Sequence, residues 1–452
     1  MIYQIFKLLF YPTLKAYFRS LYINNAYVIP DKGPVIFAVN HTSAFMDPIL
    51  IAVFTKRTLH FLARGEAFNS ILSRAFYKKL NMLPVYRPET TPDEVHKNKF
   101  AFQACHVHLK NQKTIIIFPE GFSQTGRRLR PIKPGLARIA FGAEAENDFK
   151  LNVKIIPIGI NYSDQHRFRS DVIINYGTPI EVGAYRELYE QNEKNAIRNL
   201  TEEVRLSLAE QLVLIDDEKH DMMIHQIEKL YFSEEEHIDN LRRKAKKRFE
   251  LSKEIAETID YFAQENSEEF KLFEGRLNNY MKILERLKLD DHHMFRSNVS
   301  MGLLRSFFYF VLGFPVFVFG YLLNIIPFKL ADLVSKKIPV REDFIGSLKI
   351  TSGAFIFLIF YILEAFVVKQ FTNSYWTIIF LCLLYPTGIF ALNYVKRFYA
   401  VLDTIKYLRI SSRKMDFIER LRFDRDEMIN TIEKWRIEYS GKSDKRADVI
   451  LG

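Results

Sequence analysis

Residues 33–50 read GPVIFAVNHTSAFMDPIL. The run from Val35 to Val39 is apolar with no polar alternation, the pattern of a strand covered on both faces. Asn40 and His41 stand where it ends. Three runs of the same kind follow: TIIIFPEG at 114–121, KIIPIGINY at 154–162 and DVIINYGTPI at 171–180. Helical stretches lie between them, among them HKNKFAFQACHVHLK at 96–110 and GLARIAFGAEAE at 135–146. Strands alternating with helices predict an α/β domain over 31–185, a sheet covered by helices.

The strand end matters because open α/β sheets bind ligands along that edge. Asp47 follows His41 by six residues. On a regular helix the two would point about 240° apart, so they meet only if the chain turns between them, and Thr42 and Ser43 are turn-forming residues. A carboxylate on one imidazole nitrogen fixes the tautomer and stabilises the cation formed when the other takes a proton. Such a pair activates a hydroxyl. Taken alone, His41 reads equally as a polar cap on a buried strand. The second element is IIIFPEGFSQTGRRLRPIKPG at 115–135. Its strand delivers Glu120 and Gly121 to a turn, and Ser123, Arg127, Arg128, Arg130 and Lys133 follow. A carboxylate there can bind substrate hydroxyls, and the basic cluster suits an anion. The plainer alternative is a surface turn and a solvated loop.

The remainder of the chain is of another kind. After Pro179 no proline occurs until Pro315, and Ile197, Leu200, Val204, Leu208 and Leu212 recur at helical spacing. A charged helical arm is expected over 186–300. Its basic run RRKAKKR at 242–248 reads as a solvated helix face or a phosphate-binding patch. Three apolar segments follow, Phe307–Phe328, Ile350–Val368 and Tyr375–Val395, each long enough to cross an apolar layer of about 30 Å. The lysines and arginines of 329–349, with Lys396 and Arg397, put that loop and the 401–452 tail on the cytoplasmic side. The second and third segments then form a hairpin within a membrane region at 301–400. If the N-terminal domain is also cytoplasmic, the first segment must enter and leave on one side, broken at Gly313-Phe314-Pro315. The alternative is a simple span. The tail is expected to be an amphipathic helix carrying Trp435, at the membrane surface or against a partner. Residues 1–30 form either a membrane-interface helix or a helix docked on the protein's own core.

Among the 452 residues 48% are apolar, 40 are Phe, and the formal net charge is +11. A basic balance favours an anionic partner. Phosphate-bearing substrate and anionic lipid account for it, so no nucleic acid is expected. Neither Cys105 nor Cys382 has metal spacing, and His106, His108, His292 and His293 lack a third ligand, so no metal is expected.

The two motifs together resemble the membrane glycerolipid acyltransferases of the lysophosphatidate and glycerol-3-phosphate acyltransferase type. NHTSAFMD at 40–47 resembles that family's catalytic His-and-Asp block. LPVYRP at 83–88 is similar to its second block, and LARGEAF at 62–68 to the stretch upstream of it. FPEGFS at 118–123, with IKPG at 132–135, resembles the third block, and IIPIGI at 155–160 the fourth. One departure stands out. Five residues, Thr42 to Met46, separate His41 from Asp47 where the family usually has four. The resemblance covers roughly residues 30–185 and implies a mixed sheet covered by helices. It implies His41 as general base and Asp47 as its partner. Arg87 and Lys133 would hold a phosphate, and Glu120, Gly121 and Ser123 would line the acceptor site. The implied reaction moves a fatty acyl group from acyl-CoA or acyl-carrier protein, a co-substrate with no further cofactor, to glycerol 3-phosphate or 1-acylglycerol 3-phosphate. Acylation of an amine-linked lysolipid and a non-catalytic membrane scaffold are the alternatives. An integral membrane protein with this domain on the cytoplasmic side is expected.

Overall fold

The structure, a computed structural model, describes residues 2–87, 91–234, 241–265, 267–295 and 299–451. Pro88 of the second block and the side chains of 242–244 in the basic run lie outside the described residues. The chain divides into two compact units, residues 1–213 with 334–354, and residues 214–333 with 355–452.

The first unit is built on one sheet. Its strands are β1 (Ser20–Asn24), β2 (Val35–Val39), β3 (Leu59–Arg64), β4 (Met82–Val85), β5 (Thr114–Ile117), β6 (Lys154–Tyr162), β7 (Asp171–Tyr176) and β8 (Ile180–Glu181). They lie in the order β1-β7-β6-β2-β5-β3-β4, with β8 paired to β6. Pairing is parallel from β6 through β2, β5 and β3 to β4, while β7 and β8 run antiparallel to β6. The sheet is therefore mixed.

Period-two geometry sends alternate side chains to opposite faces. Val35, Phe37 and Val39 of β2 enter one core with Ile116, Ile156 and Ile158, and Ile36 and Ala38 enter the other with Ile115, Ile117 and Ile155. Both faces are thus buried, which is why the strands read as unbroken apolar runs. The helices here are α1 (Ile2–Tyr17), α2 (Met46–Phe54), α3 (Ile71–Lys79), α4 (Asn98–Lys110), α5 (Gly135–Ala145), α6 (Arg186–Gln191) and α7 (Glu193–Glu210). The first core takes α1 and α2, and the second takes α4, α5 and α7. The helix α7 had been expected to open a separate arm at 186. Its stripe of Ala196, Leu200, Val204 and Leu208 is instead buried within this unit. The helical period was read correctly, but period alone does not say which surface covers the stripe. Helix α1 packs Tyr3, Phe10, Leu14 and Tyr17 into the first core. A second apolar stripe, Ile5, Leu8 and Tyr11, stays exposed.

A buried histidine gives this unit an acid limit. The His60 ring on β3 bonds the Thr114 carbonyl oxygen and lies 4.3 Å from the His108 ring. Burial pushes its pKa down from 6.5 to about 4, with the His108 charge and Lys113 acting the same way against the Thr114 bond. Between those two values the unfolded chain binds the proton and the folded chain does not. Stability therefore falls as the pH drops from 6.5 towards 4. In a His60→Phe variant the Tm difference between pH 7 and pH 5 is expected to shrink by roughly 2–4 °C, read by scanning fluorimetry of purified protein. An unchanged difference would contradict this assignment.

The second unit is helical among its described residues. It comprises α8 (Asp221–Glu234), α9 (Leu241–Glu265), α10 (Glu268–Leu287), α11 (His292–Phe295), most of α12 (Val299–Lys337), the later part of α13 (Glu342–Phe371), α14 (Ser374–Arg413) and α15 (Met415–Leu451). The tail helix α15 packs within this unit. Its Trp435 is buried against Phe262, Phe270 and Phe273 of α9 and α10. Arg425 of α15 pairs with Asp291 at 3.0 Å, both groups almost fully buried.

Three helices, Leu303–Lys337, Glu342–Phe371 and Ser374–Arg413, are long and apolar enough to cross a membrane. The break expected at Gly313-Phe314-Pro315 does not form: α12 runs unbroken with Pro315 and Pro327 inside it. A proline costs a helix one amide donor and crowds the preceding turn. The carbonyl that Pro315 leaves without an intrahelical donor is that of Val311, and α14 packs beside this turn. The Tyr394 hydroxyl donates to the Phe310 carbonyl at 3.0 Å, and Gly313 lies against the Phe390 ring. Apolar helices tolerate proline where a neighbouring helix packs against the affected turn.

Candidate active site

The parallel strands β2, β5, β3 and β4 end along one edge of the sheet, and the sequence blocks collect there. Asn40 pins the end of β2. Its amide donates to the Ile160 carbonyl at 3.1 Å and accepts from the Ile160 N–H at 2.7 Å, continuing the β2–β6 ladder with a side chain. His41 comes next, at the mouth of the edge.

The chain between His41 and Asp47 turns tightly enough to bring them together. His41 Nδ1 lies 2.8 Å from Asp47 Oδ2. The turn is wound around that carboxylate, because the same Oδ2 accepts from the Thr42 N–H at 2.9 Å and the Ser43 N–H at 2.8 Å. Asp47 Oδ1 accepts from the Tyr162 hydroxyl at 2.7 Å. Asp47 is fully buried in the first turn of α2, where the helix dipole favours an anion. Burial, together with the charge of Asp47, pushes the Tyr162 pKa well up, so its hydroxyl remains a donor. The five-residue spacer is therefore compatible with the pair. Its extra length is taken up by a turn whose amides bond the partner carboxylate.

The His41 ring stacks on Phe118 at 4.1 Å and retains 15% of its side-chain surface. Among the described residues no group bonds its Nε2. One nitrogen is thus held by Asp47, and the other is available to a molecule arriving at the sheet edge.

Glu120 is placed differently from the expectation that it faces a ligand's hydroxyls. It is buried. One oxygen accepts from the His41 N–H at 2.7 Å, and the other faces Arg130 Nη1 at 3.2 Å. Burial raises its pKa, and the bonds from His41 and Arg130 oppose that shift. Glu120 therefore braces the His41 backbone, and the Gln124 N–H grips the His41 carbonyl at 3.1 Å from the other side. Gly121 has φ +84°, in the region that favours glycine, and a Cβ there would sit 3.1 Å from Lys133 Cε. The Lys133 stem thus covers this turn, and its backbone N–H donates to the Pro119 carbonyl at 2.9 Å.

Ser123 is buried, and its hydroxyl bonds the Asp343 carboxylate. Arg87 follows β4, where its N–H donates to Thr91 Oγ1 at 3.1 Å. In the strand order β4 lies three places from β2. At about 4.8 Å per strand, Arg87 and His41 are based roughly 14 Å apart. Among the described residues no group of three or more His, Cys, Asp or Glu side chains is placed to hold a metal.

Comparison with known proteins shows what the first unit is similar to. Residues 20–161 match the acyltransferase family model. Over 112 residues the chain is 37% identical to glycerol-3-phosphate O-acyltransferase 2 of Saccharomyces cerevisiae, covering 25% of this chain and 15% of that enzyme. Over 132 residues it is 35% identical to glycerol-3-phosphate O-acyltransferase 1 of the same yeast, covering 28% and 17%. The match thus takes in less than a fifth of either relative. A solved structure, the 1-acyl-sn-glycerophosphate acyltransferase of Thermotoga maritima, aligns with a TM-score of 0.31 at 19% identity, over 44% of this chain and 79% of that one.

The side chains that the sequence reading did not single out are Asn40, Tyr162 and Asp343, while Arg130, read as part of an anion-binding cluster, instead faces the Glu120 carboxylate. Asn40 precedes the histidine directly and was passed over as a strand terminator. Tyr162 stands at the end of a strand already recognised, in line with the His41 edge.

Proposed function

We propose that this protein transfers a fatty acyl group from a thioester donor, acyl-CoA or acyl-carrier protein, to a hydroxyl of glycerol 3-phosphate or 1-acylglycerol 3-phosphate. The observation that carries the reading is the His41–Asp47 contact at 2.8 Å with Nε2 unbonded at the sheet edge. The acceptor hydroxyl gives its proton to Nε2 as its oxygen attacks the thioester carbonyl carbon. Asp47 holds the ring by Nδ1 and stabilises the imidazolium. The tetrahedral intermediate collapses, the C–S bond breaks, and the leaving thiolate takes the proton from Nε2. The acceptor is itself the nucleophile, so no acyl-enzyme is required.

Arg87 serves as the phosphate anchor in this reading, with Lys133 as a second cation. A separation of roughly 14 Å between strand bases leaves room for an extended arginine and a glycerol phosphate. Glu120, Gly121 and Ser123 shape the loop that faces the acceptor. The yeast relatives support this substrate class. We place the protein in a membrane through the hairpin of α13 and α14, with the acyltransferase domain on the cytoplasmic side, which requires that the unbroken α12 does not cross. The basic stretch 329–349 supports that side, because residues 334–354 pack within the same unit as the domain.

The test is turnover of purified protein with both thioester donors and both acceptors. Arg87→Ala is expected to raise KM for a phosphate-bearing acceptor roughly 10- to 100-fold, the worth of a charge-assisted bond, with donor KM unchanged. An unchanged acceptor KM would transfer the reading to an amine-linked lysolipid. Absence of turnover with every pair would leave a membrane scaffold.

A further inference from the structure

The acyltransferase-family match ends at residue 161, yet the motif loops do not complete themselves from residues 20–161. Helix α2 begins without a side-chain cap of its own, since Phe45 at its N-cap supplies none. The missing acceptor comes from 301 residues downstream. The Met46 N–H donates to Ser347 Oγ at 2.9 Å, and Ser347 is fully buried. Asp343, one turn earlier on α13, holds the hydroxyl of Ser123 with its carboxylate, and its carbonyl lies 3.5 Å from Ser43 Oγ. Arg341 clamps that carboxylate at 2.7 Å and reaches the Ser123 carbonyl at 3.4 Å.

The contact has a built geometry. Asp343, Gly346, Ser347, Ile350 and Ala354 are the buried residues of this part of α13, and their spacing of three, four, seven and eleven defines one helical stripe. Ile350 and Ala354 belong to the core that contains β2 and α2. A Cβ at Gly346 would lie 2.2 Å from the Gln165 carbonyl, so only glycine allows the approach. Gln165 in turn bonds the Thr42 carbonyl at 3.1 Å, and Phe344 packs edge-on against Phe45. The first turns of α13 therefore touch both the His41-to-Asp47 turn and the FPEGFS loop.

We propose that the start of α13 is a working part of the site, with Ser347 and Asp343 as positioning residues that hold the six-residue step from His41 to Asp47 in register with the FPEGFS loop. The first amide of α2 has no local side-chain acceptor, and Ser347 takes it. The inference rests on the reading of His41 as base.

The experiment compares full-length Ser347→Ala, Ser347→Thr, Gly346→Val and His41→Ala, each purified in detergent and assayed with glycerol 3-phosphate and palmitoyl-CoA or palmitoyl-acyl carrier protein. Ser347→Ala is expected to lower kcat about 10- to 100-fold, with both KM values within about twofold and Tm within about 3 °C. Ser347→Thr, which keeps the hydroxyl, restores kcat. Gly346→Val, which forces α13 off Gln165, loses activity at least as far as Ser347→Ala. Wild-type kcat in Ser347→Ala beside an inactive His41→Ala overturns the inference and leaves the base reading standing. So does a loss of kcat that tracks a loss of Tm across the series. Wild-type kcat in His41→Ala overturns the base reading and the inference with it.

Discussion

His41→Ala is expected to lower kcat for acyl transfer roughly 10³-fold, within the 10²–10⁴ range of general-base assistance, while KM for donor and acceptor changes by less than about threefold. The argument is geometric. Nε2 is the free nitrogen of a ring whose other nitrogen is fixed on Asp47 at 2.8 Å, so the ring has one orientation and one open acceptor. Removing it deletes the proton acceptor but little of the scaffold. Asp47 still receives the Thr42 and Ser43 amides and the Tyr162 hydroxyl, so the turn stays wound. The His41 backbone still bonds Glu120 and Gln124. A loss of about 4 kcal/mol in transition-state stabilisation with near-unchanged KM marks an interaction made only during reaction. Steady-state turnover of purified variant and wild type, with matched melting curves, decides it. Equal kcat would remove His41 from the chemistry.

How much of this was readable beforehand follows the range of the forces involved. The strands were legible because burial on both faces writes itself locally as Val, Ile and Phe without alternation, as in β2 and β5. The His41 and Asp47 pairing was legible as a possibility, since both lie within one turn of chain. Whether they meet depends on the amides of Thr42 and Ser43, and no spacing rule contains that. The role of Glu120 was not legible. A carboxylate at a strand end looks the same in sequence whether it faces a ligand or the His41 amide, and only the closeness of β2 and β5 decides between them. Ser347 was beyond reach for another reason. It sits in the stretch 329–349, read as a basic loop between apolar segments, and its partner Met46 is 301 residues away. Contacts of that range leave no periodic trace in a single sequence. The unbroken α12 follows the same principle. Pro315 predicts a break from local chemistry, whereas the packing of α14 against that turn comes from a different helix.

Asp47→Asn is expected to lower kcat by about 10³- to 10⁴-fold with the fold intact, and the contrast with Asp47→Ala explains why. The carboxylate accepts four bonds, from His41 Nδ1, Thr42 N–H, Ser43 N–H and the Tyr162 hydroxyl. An asparagine can place its oxygen where Oδ2 stood, still receiving the two amides and the ring nitrogen. Its NH₂ then faces Tyr162, whose hydroxyl oxygen accepts. The bond pattern survives, and Tm is expected to move by less than about 4 °C. What is lost is the negative charge. The imidazolium that forms as the acceptor gives up its proton then has a neutral neighbour in a buried setting, and its stabilisation falls by several kcal/mol. Alanine fails differently. It leaves the Thr42 and Ser43 amides and the Tyr162 hydroxyl without an acceptor, at about 1–3 kcal/mol for each buried group, and the turn unwinds. A parallel measurement of kcat and Tm for the two variants separates charge from scaffold. Wild-type kcat in a well-folded Asp47→Asn variant would show that the carboxylate only shapes the turn, and the proton chemistry assigned to the pair would fail.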